Sequence, residues 1–150
     1  MRLVIQRVSE ASVTVQKELI SEIGNGLMIL VGVENEDTDK DVEWLANKTI
    51  NMRIFPDTYG VMNLSIKEIG GEILAISQFT LTSSTKKGNR PSYIRAARPE
   101  IAEPLYDKFC ELLSELLGYH VKKGKFGADM KVALINDGPV TIIIDSKLKE

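Results

Sequence analysis

The order in which hydrophobic periodicity changes along the chain constrains the fold more than any other feature. Val13 and Val15 alternate with polar neighbours, as on a half-buried strand. Asn25-Gly26 carries hairpin-turn chemistry, and Leu27 to Val33 is a continuous apolar run suited to a buried strand. Helical spacing then takes over at Val42, Leu45, Ala46, Thr49 and Ile50, behind Thr38 and Asp41, which resemble a capping box with Asp for the usual Glu. Phe55-Pro56-Asp57 ends that unit, Gly70-Gly71 punctuates, and Glu72 to Leu81 reads as a strand. Leu105, Phe109, Leu112, Leu113 and Leu116 form the stripe of a second helix, with Pro104 suited to its first turn and Gly118 to its C-terminal cap. Val132 to Ile135 and Val140 to Ile144 close the chain as two strands. Strands, helix, strands, helix, strands, without regular βαβ alternation, predict an α+β fold. The expected architecture is a barrel-like antiparallel or mixed sheet flanked by two main helices.

At 150 residues the expectation is one domain, 1–150, able to bury a core without disulfides or metal. No apolar run approaches the roughly 18 residues that span a bilayer, and Met1 to Arg7 lacks the apolar stretch of a signal peptide. The single cysteine, Cys110, fits a reducing compartment and a buried small hydrophobe. A soluble cytoplasmic protein is expected.

Side-chain chemistry is sparse. His120 is the only histidine, so a Ser-His-Asp triad or a zinc site would have to use it, and the usual nucleotide, hydrolase and metalloprotease motifs are absent. Asp37, Asp39 and Asp41 are better explained as acids complementing a helix start than as metal ligands. Trp44 reads as packing and His120 as structural or exposed; no metal site is predicted.

Net charge is −2, which excludes a basic nucleic-acid binder as a whole. The distribution is uneven: from Ile73 through Pro99 there is no acid, yet Lys86, Lys87, Arg90, Arg95 and Arg98 fall there, and Lys122, Lys123 and Lys125 form a second cluster. Such a run is either a solvated loop or a local contact for RNA phosphates. No aromatic lies between Phe79 and Tyr93, so a stacking platform for several bases is not expected.

Two segments carry more. Ser77-Gln78-Phe79-Thr80-Leu81 follows the apolar run Ile73 to Ile76; a strand entering a polar loop, with Phe79 in the core, would explain it. Asn136-Asp137-Gly138-Pro139-Val140-Thr141 lies between the last two strands, where Asp-Gly makes a tight turn and Pro139 opens the next strand. Together, in this order, they resemble the SQFTL and NxGPVT patterns of the D-aminoacyl-tRNA deacylases, formerly D-tyrosyl-tRNA deacylases. Arg2 to Val8, Gly88-Asn89-Arg90-Pro91-Ser92-Tyr93 and Gly124 to Met130 also look like family sequence, so the resemblance covers nearly the whole chain.

The resemblance implies hydrolysis of the ester joining a D-amino acid to the terminal adenosine of tRNA. It implies a cytosolic homodimer without a required cofactor, DNA or membrane partner, with its active sites at the dimer interface. Gly138 and Pro139 match the family's Gly-cis-Pro dipeptide, inserted by one subunit into its partner's pocket to reject L-amino acids. Glycyl-tRNA, in particular glycine mischarged on tRNA-Ala, has no side chain to clash and would then also be hydrolysed. Arg7 matches the arginine that buttresses the dipeptide, or is a rim charge; Met130 lines the pocket or fills the core. Phe79 is the expected substrate-binding residue, and Lys86, Lys87 and Arg90 are the expected tRNA contacts. Ser77, Gln78 and Thr80 are the catalytic candidates. Thr80 acts as a nucleophile, or backbone donors near Phe79 and Thr80 form an oxyanion hole while the terminal ribose hydroxyl activates water. Two readings compete: a non-catalytic RNA-binding dimer, and a general esterase using Thr80 or Ser77.

Overall fold

A computed structural model describes residues 1–150 and opens with a long hairpin. β1 (Arg2–Val15) returns as β2 (Glu18–Ile23) through Gln16 and Lys17, at φ 49° and 65°, with Val15 opposite Glu18. Consecutive left-handed residues make a type I′ turn, whose usual signal is Asn-Gly. Neither residue is present, so this turn is silent in the sequence.

The hairpin expected at Asn25-Gly26 does not form. β2 and β3 (Gly26–Gly32) follow one another along the same edge of β1, with Ile23 opposite Ala11 and Gly26 opposite Val8. Gly24 and Asn25 merely interrupt one long antiparallel partner. Gly26 answers a different need: a Cβ there would stand 1.8 Å from the Glu72 carbonyl oxygen, so only glycine lets the neighbouring strand approach.

That neighbour is β6 (Glu72–Ser77), parallel to β3, and β7 (Lys122–Lys123) is parallel to β6 in turn. β8 (Lys131–Asp145) runs antiparallel along the other edge of β1. The resulting six-stranded mixed sheet curls into a nearly closed barrel, flanked by α1 (Asp39–Asn51), α2 (Ile66–Ile69) and α3 (Pro99–Leu117). The α+β expectation holds, with a short third helix added. A small hairpin, β4 (Phe55–Pro56) with β5 (Met62–Leu64), lies between α1 and α2.

Two apolar clusters cover opposite faces of the central strands. Leu27, Ile29, Val31, Ile73 and Ala75 pack toward α1 and α3; Met28, Leu74 and Ile76 join Val8, Ala11 and Val13 inside the barrel. Double-sided burial is the reason Leu27 to Val33 is uninterrupted. β1 changes face on the way: Leu3 and Ile5 meet the helices, whereas Ala11 and Val13 meet the interior. The extra residue sits where Val8 pairs with Asn136 and Glu10 with Ile135, two steps against one.

The capping box of α1 forms, Thr38 donating its backbone N–H to the Asp41 carboxylate at 2.8 Å. Asp37 does something else: it is buried and receives the Met1 α-ammonium at 2.5 Å, so it is a counter-ion rather than a helix-dipole acid. α3 begins at Pro99, earlier than expected, which puts Pro104 in its interior. Its buried stripe is Ala102, Tyr106, Phe109, Cys110, Leu113 and Leu117, with Leu105, Leu112 and Leu116 at the margin. Trp44 is half-buried against the same core, as expected.

Candidate functional site

The strand expected to run through Leu81 stops at Ser77. Gln78 still donates its backbone N–H to the Val31 carbonyl at 2.7 Å, then Phe79–Thr82 winds into a 3-10 turn. The buried Thr82 hydroxyl donates to the Phe79 carbonyl at 2.9 Å, and the Ser83 N–H to the Thr80 carbonyl at 3.1 Å. These bonds tighten the turn and throw Phe79 outward. Phe79 is therefore not a core residue: it is 56% exposed and meets Tyr93 edge-to-face, with centroids 5.1 Å apart.

Beneath the turn opens a groove of about 540 Å³. Ser77, Gln78, Phe79 and Met130 line it, joined by Tyr106 from α3 and Phe126 from the segment after β7. Thr80 lies just outside, its Oγ1 accepting from Gln78 Nε2 at 2.5 Å. Met130 also packs against the barrel cluster, so both readings of it hold at once.

The groove is poor in acid-base groups. Among its lining residues only Tyr106 and Asp129 carry ionisable side chains. Burial, foremost, pushes the Tyr106 phenol far above its ordinary value, and its hydroxyl donates to the Ala75 carbonyl at 2.8 Å. Asp129 is exposed and paired with Lys131 at 3.0 Å. Cys110 is buried nearby, its thiol pushed up to about 12 by burial and therefore inert. His120 is exposed beyond the C-terminus of α3, next to Tyr119, whose hydroxyl bonds the Gly71 carbonyl. Gly71 precedes β6 and Gln78 follows it, so a strand about 20 Å long separates the histidine's neighbourhood from the groove.

A second constellation is built on β8. The Asn136–Thr141 segment is not a tight turn between antiparallel strands, because residues on both sides of it pair with β1 in the same direction. Val8 pairs with Asn136 and Gln6 with Thr141, so five steps on β8 face two on β1 and the surplus is pushed out as a bulge. Asn136 closes its neck, its Oδ1 accepting from the Val140 N–H at 2.8 Å and its Nδ2 donating to Thr141 Oγ1 at 2.9 Å. The Gly138-Pro139 peptide is cis, Gly138 has φ 141°, and both residues are exposed. Arg7 is buried beneath: Nε donates to the Asp137 carbonyl at 2.9 Å and Nη1 to the Ile54 carbonyl at 2.6 Å. It is not a rim charge.

The two constellations do not meet in one chain. Gly138, Pro139 and Arg7 contribute nothing to the groove lined by Ser77, Gln78 and Phe79. The expected cations divide too. Arg95 pairs with Glu34, Lys122 with Glu72 and Lys123 with Asp107, whereas Lys86, Lys87 and Arg90 stand exposed on the loop after the 3-10 turn without an ion pair. Asn136, Tyr106 and Phe126 are site residues that no sequence motif singles out by role. Asn136 stands in the NxGPVT pattern and Phe126 in the Gly124 to Met130 stretch, but Tyr106 gave no signal beyond its place four residues from Ala102 on one helix face.

The fold is a curled mixed sheet bearing a groove that offers amide, hydroxyl and aromatic side chains and few titratable ones. A family model described as D-Tyr-tRNA(Tyr) deacylase matches residues 4–145. The chain is 62% identical over 150 residues to the D-aminoacyl-tRNA deacylases of Bacteroides thetaiotaomicron and Porphyromonas gingivalis, covering 100% of each chain. Among solved structures it superposes on the c-Myc DNA Unwinding Element Binding Protein with a TM-score of 0.90 at 44% identity, over 97% of this chain and 98% of that one. A probable eukaryotic D-amino acid tRNA deacylase gives 0.82 at 18% identity, over 95% and 97%, a likeness of fold. The chain belongs to the D-aminoacyl-tRNA deacylase family of ester hydrolases.

Proposed function

We propose that this chain, as a single-domain cytoplasmic homodimer, hydrolyses the ester of D-aminoacyl-tRNA, releasing free D-amino acid and tRNA, and proofreads chirality across its subunit interface. The observation that carries the reading is the separation of the Gly138-Pro139 bulge from its own chain's groove. The bulge stands at the middle of β8, an edge strand paired only with β1. On the face away from the helices, Leu30, Val4 and Ile143 lie side by side across β3, β1 and β8, and Ile143 is 68% exposed. An open edge beside an apolar row of which Val4 and Leu30 are partly exposed and Ile143 is exposed is what a second copy would cover. A copy docked there would carry each bulge toward its partner's groove.

In that arrangement the Gly138 and Pro139 carbonyls accept hydrogen bonds from the substrate α-ammonium. With the adenosine also held, a D side chain points to open space and an L side chain meets the wall, so selectivity comes from repulsion. Glycyl-tRNA carries no side chain to repel and is cleaved as well. The first N–H groups of a 3-10 turn have no partner within it, so those of Phe79 and Thr80 are suited to receive the oxyanion. Such a donor contributes about 3–4 kcal/mol. Gln78 holds Thr80 in place, and the terminal ribose hydroxyl activates water. Lys86, Lys87 and Arg90 take phosphates.

A matched panel of D-alanyl-, L-alanyl- and glycyl-tRNA tests this. Rapid release from the D- and glycyl-tRNA with L-alanyl-tRNA spared is expected. Equal cleavage of both hands, tRNA binding without cleavage, or turnover of simple activated esters would each defeat it. Sedimentation of an active monomer would defeat the cross-subunit part alone.

A further inference from the structure

Phe79 and Tyr93 form an exposed aromatic pair at the mouth of the groove, with Phe79 also lining it. Their rings are inclined at 73°, and an edge-to-face contact occupies one face of one ring only, leaving π-surface open. Tyr93 is 41% exposed yet firmly held. Ser84 and Ser92 exchange N–H···O bonds of 2.9 Å across the base of the loop that precedes it, and its own carbonyl accepts from the Ala96 N–H at 2.9 Å. Beyond it, Asn35 bonds the carbonyls of Ile94 and Arg95. The loop closed by that serine pair carries Lys86, Lys87 and Arg90, all exposed, in a stretch with no acid from Ile73 through Pro99. A rigid aromatic beside unpaired cations is how proteins hold single-stranded nucleic acid: the ring stacks on a base and the cations take the backbone.

We infer that Tyr93, braced by Phe79, is a stacking platform for one unpaired base of the tRNA 3′ end, next to the terminal adenosine. The inference rests on the proposed deacylase reading and adds a determinant for substrate size. One ring serves one base, in keeping with the scarcity of aromatics. A double-stranded stem, whose bases are already stacked, gains nothing from it. Discrimination then separates into two parts: the groove judges the aminoacyl-adenosine, and Tyr93 with the loop judges what precedes it.

The test compares D-aminoacyl-tRNA with D-aminoacyl-adenosine, which lacks the preceding nucleotides, for the wild type, Tyr93→Ala, Tyr93→Leu and Tyr93→Phe. Tyr93→Ala and Tyr93→Leu are expected to raise KM for the tRNA about 5- to 150-fold, the range of one lost base stack, with kcat nearly unchanged. KM for the adenosine ester should stay at the wild-type value, and Tyr93→Phe should behave as wild type on both. Tyr93→Leu keeps apolar packing against Phe79 and carries the test should Tyr93→Ala fail to fold. An unchanged KM for the tRNA, or equal losses on both substrates with Tyr93→Leu, overturns the platform. A wild type inactive on both substrates overturns the deacylase reading itself.

Discussion

Arg7 donates from Nε to the Asp137 carbonyl at 2.9 Å, so a side chain in the middle of β1 holds the residue that leads into the Gly138-Pro139 bulge. Its Nη1 satisfies the buried Ile54 carbonyl at 2.6 Å, tying the same guanidinium to the chain beyond α1. Replacing it has two consequences with different readouts. Arg7→Ala orphans the Ile54 carbonyl and is expected to cost about 1–3 kcal/mol of stability in urea unfolding. It also releases the bulge, and deacylation should fall at least about tenfold in kcat. Arg7→Lys cannot reproduce the two-point fork. Full activity in a folded Arg7→Ala variant would remove the arginine from the site.

Gly138 offers a sharper probe of the bulge. At φ 141° it occupies a region L side chains rarely adopt, and a Cβ would stand 2.7 Å from Val140 Cγ2 and 3.1 Å from Arg7 Nη2. Gly138→Ala is expected to cost about 1–3 kcal/mol, the range for such backbone strain. Deacylation should fall more than stability explains, because relief of the clash moves the carbonyls proposed to hold the ammonium. Chemical denaturation beside single-turnover assays separates the two effects. Wild-type rates in a destabilised variant would mean that the bulge has no part in catalysis.

What was legible in the sequence was local. The Thr38–Asp41 box, the apolar run from Leu27 and the Gly118 cap announce themselves because their chemistry lies within a few residues. What was misread depends on pairing at a distance. Asn25-Gly26 and Asp137-Gly138 have identical turn chemistry, yet both interrupt a partner of β1. Only the length of β1, accepting β2 and β3 on one edge and β8 on the other, shows this. The converse error is the real turn at Gln16-Lys17, where tertiary pairing imposes left-handed φ on residues that do not advertise it. The candidate groups were legible as motifs, but their division into a groove and a detached bulge follows only from the family resemblance; nothing in spacing or periodicity separates them.

Thr80 separates two chemistries. Its Oγ1 already accepts from Gln78 Nε2, and the only carboxylate lining the groove, Asp129, is exposed and engaged by Lys131. A nucleophilic hydroxyl needs a base within hydrogen-bond reach, and none is supplied. Thr80→Ala is therefore expected to keep single-turnover deacylation within about tenfold of wild type, the loss reflecting looser positioning of Gln78. No acyl-enzyme should accumulate on rapid quenching. Complete loss with intact folding and tRNA binding would restore the nucleophile.

Acid sensitivity should be set far from the groove, where α1 meets the C-terminal end of β8. Burial raises the pKa of Asp41 but is outweighed by hydrogen bonds from Ser146, Lys147 and Thr38, so its carboxyl is held well below the usual range. Asp145 shifts the same way: burial opposes, while the Lys147 backbone N–H and Arg2 prevail. Carboxylates depressed in the folded state leave the unfolded chain holding more protons near their ordinary pKa of about 3.9, so stability there rises with pH. The contribution is complete above about pH 5 and is lost as pH falls through 4 and below. Asp41→Asn removes the charge and weakens the capping box, costing about 1.5–3 kcal/mol at pH 7. The difference from wild type should shrink toward pH 3, where the wild-type carboxylate begins to lose its advantage. Urea midpoints at pH 7 and pH 3 measure it directly. A gap of the same size at both pH values would show that Asp41 acts through shape and not through its charge.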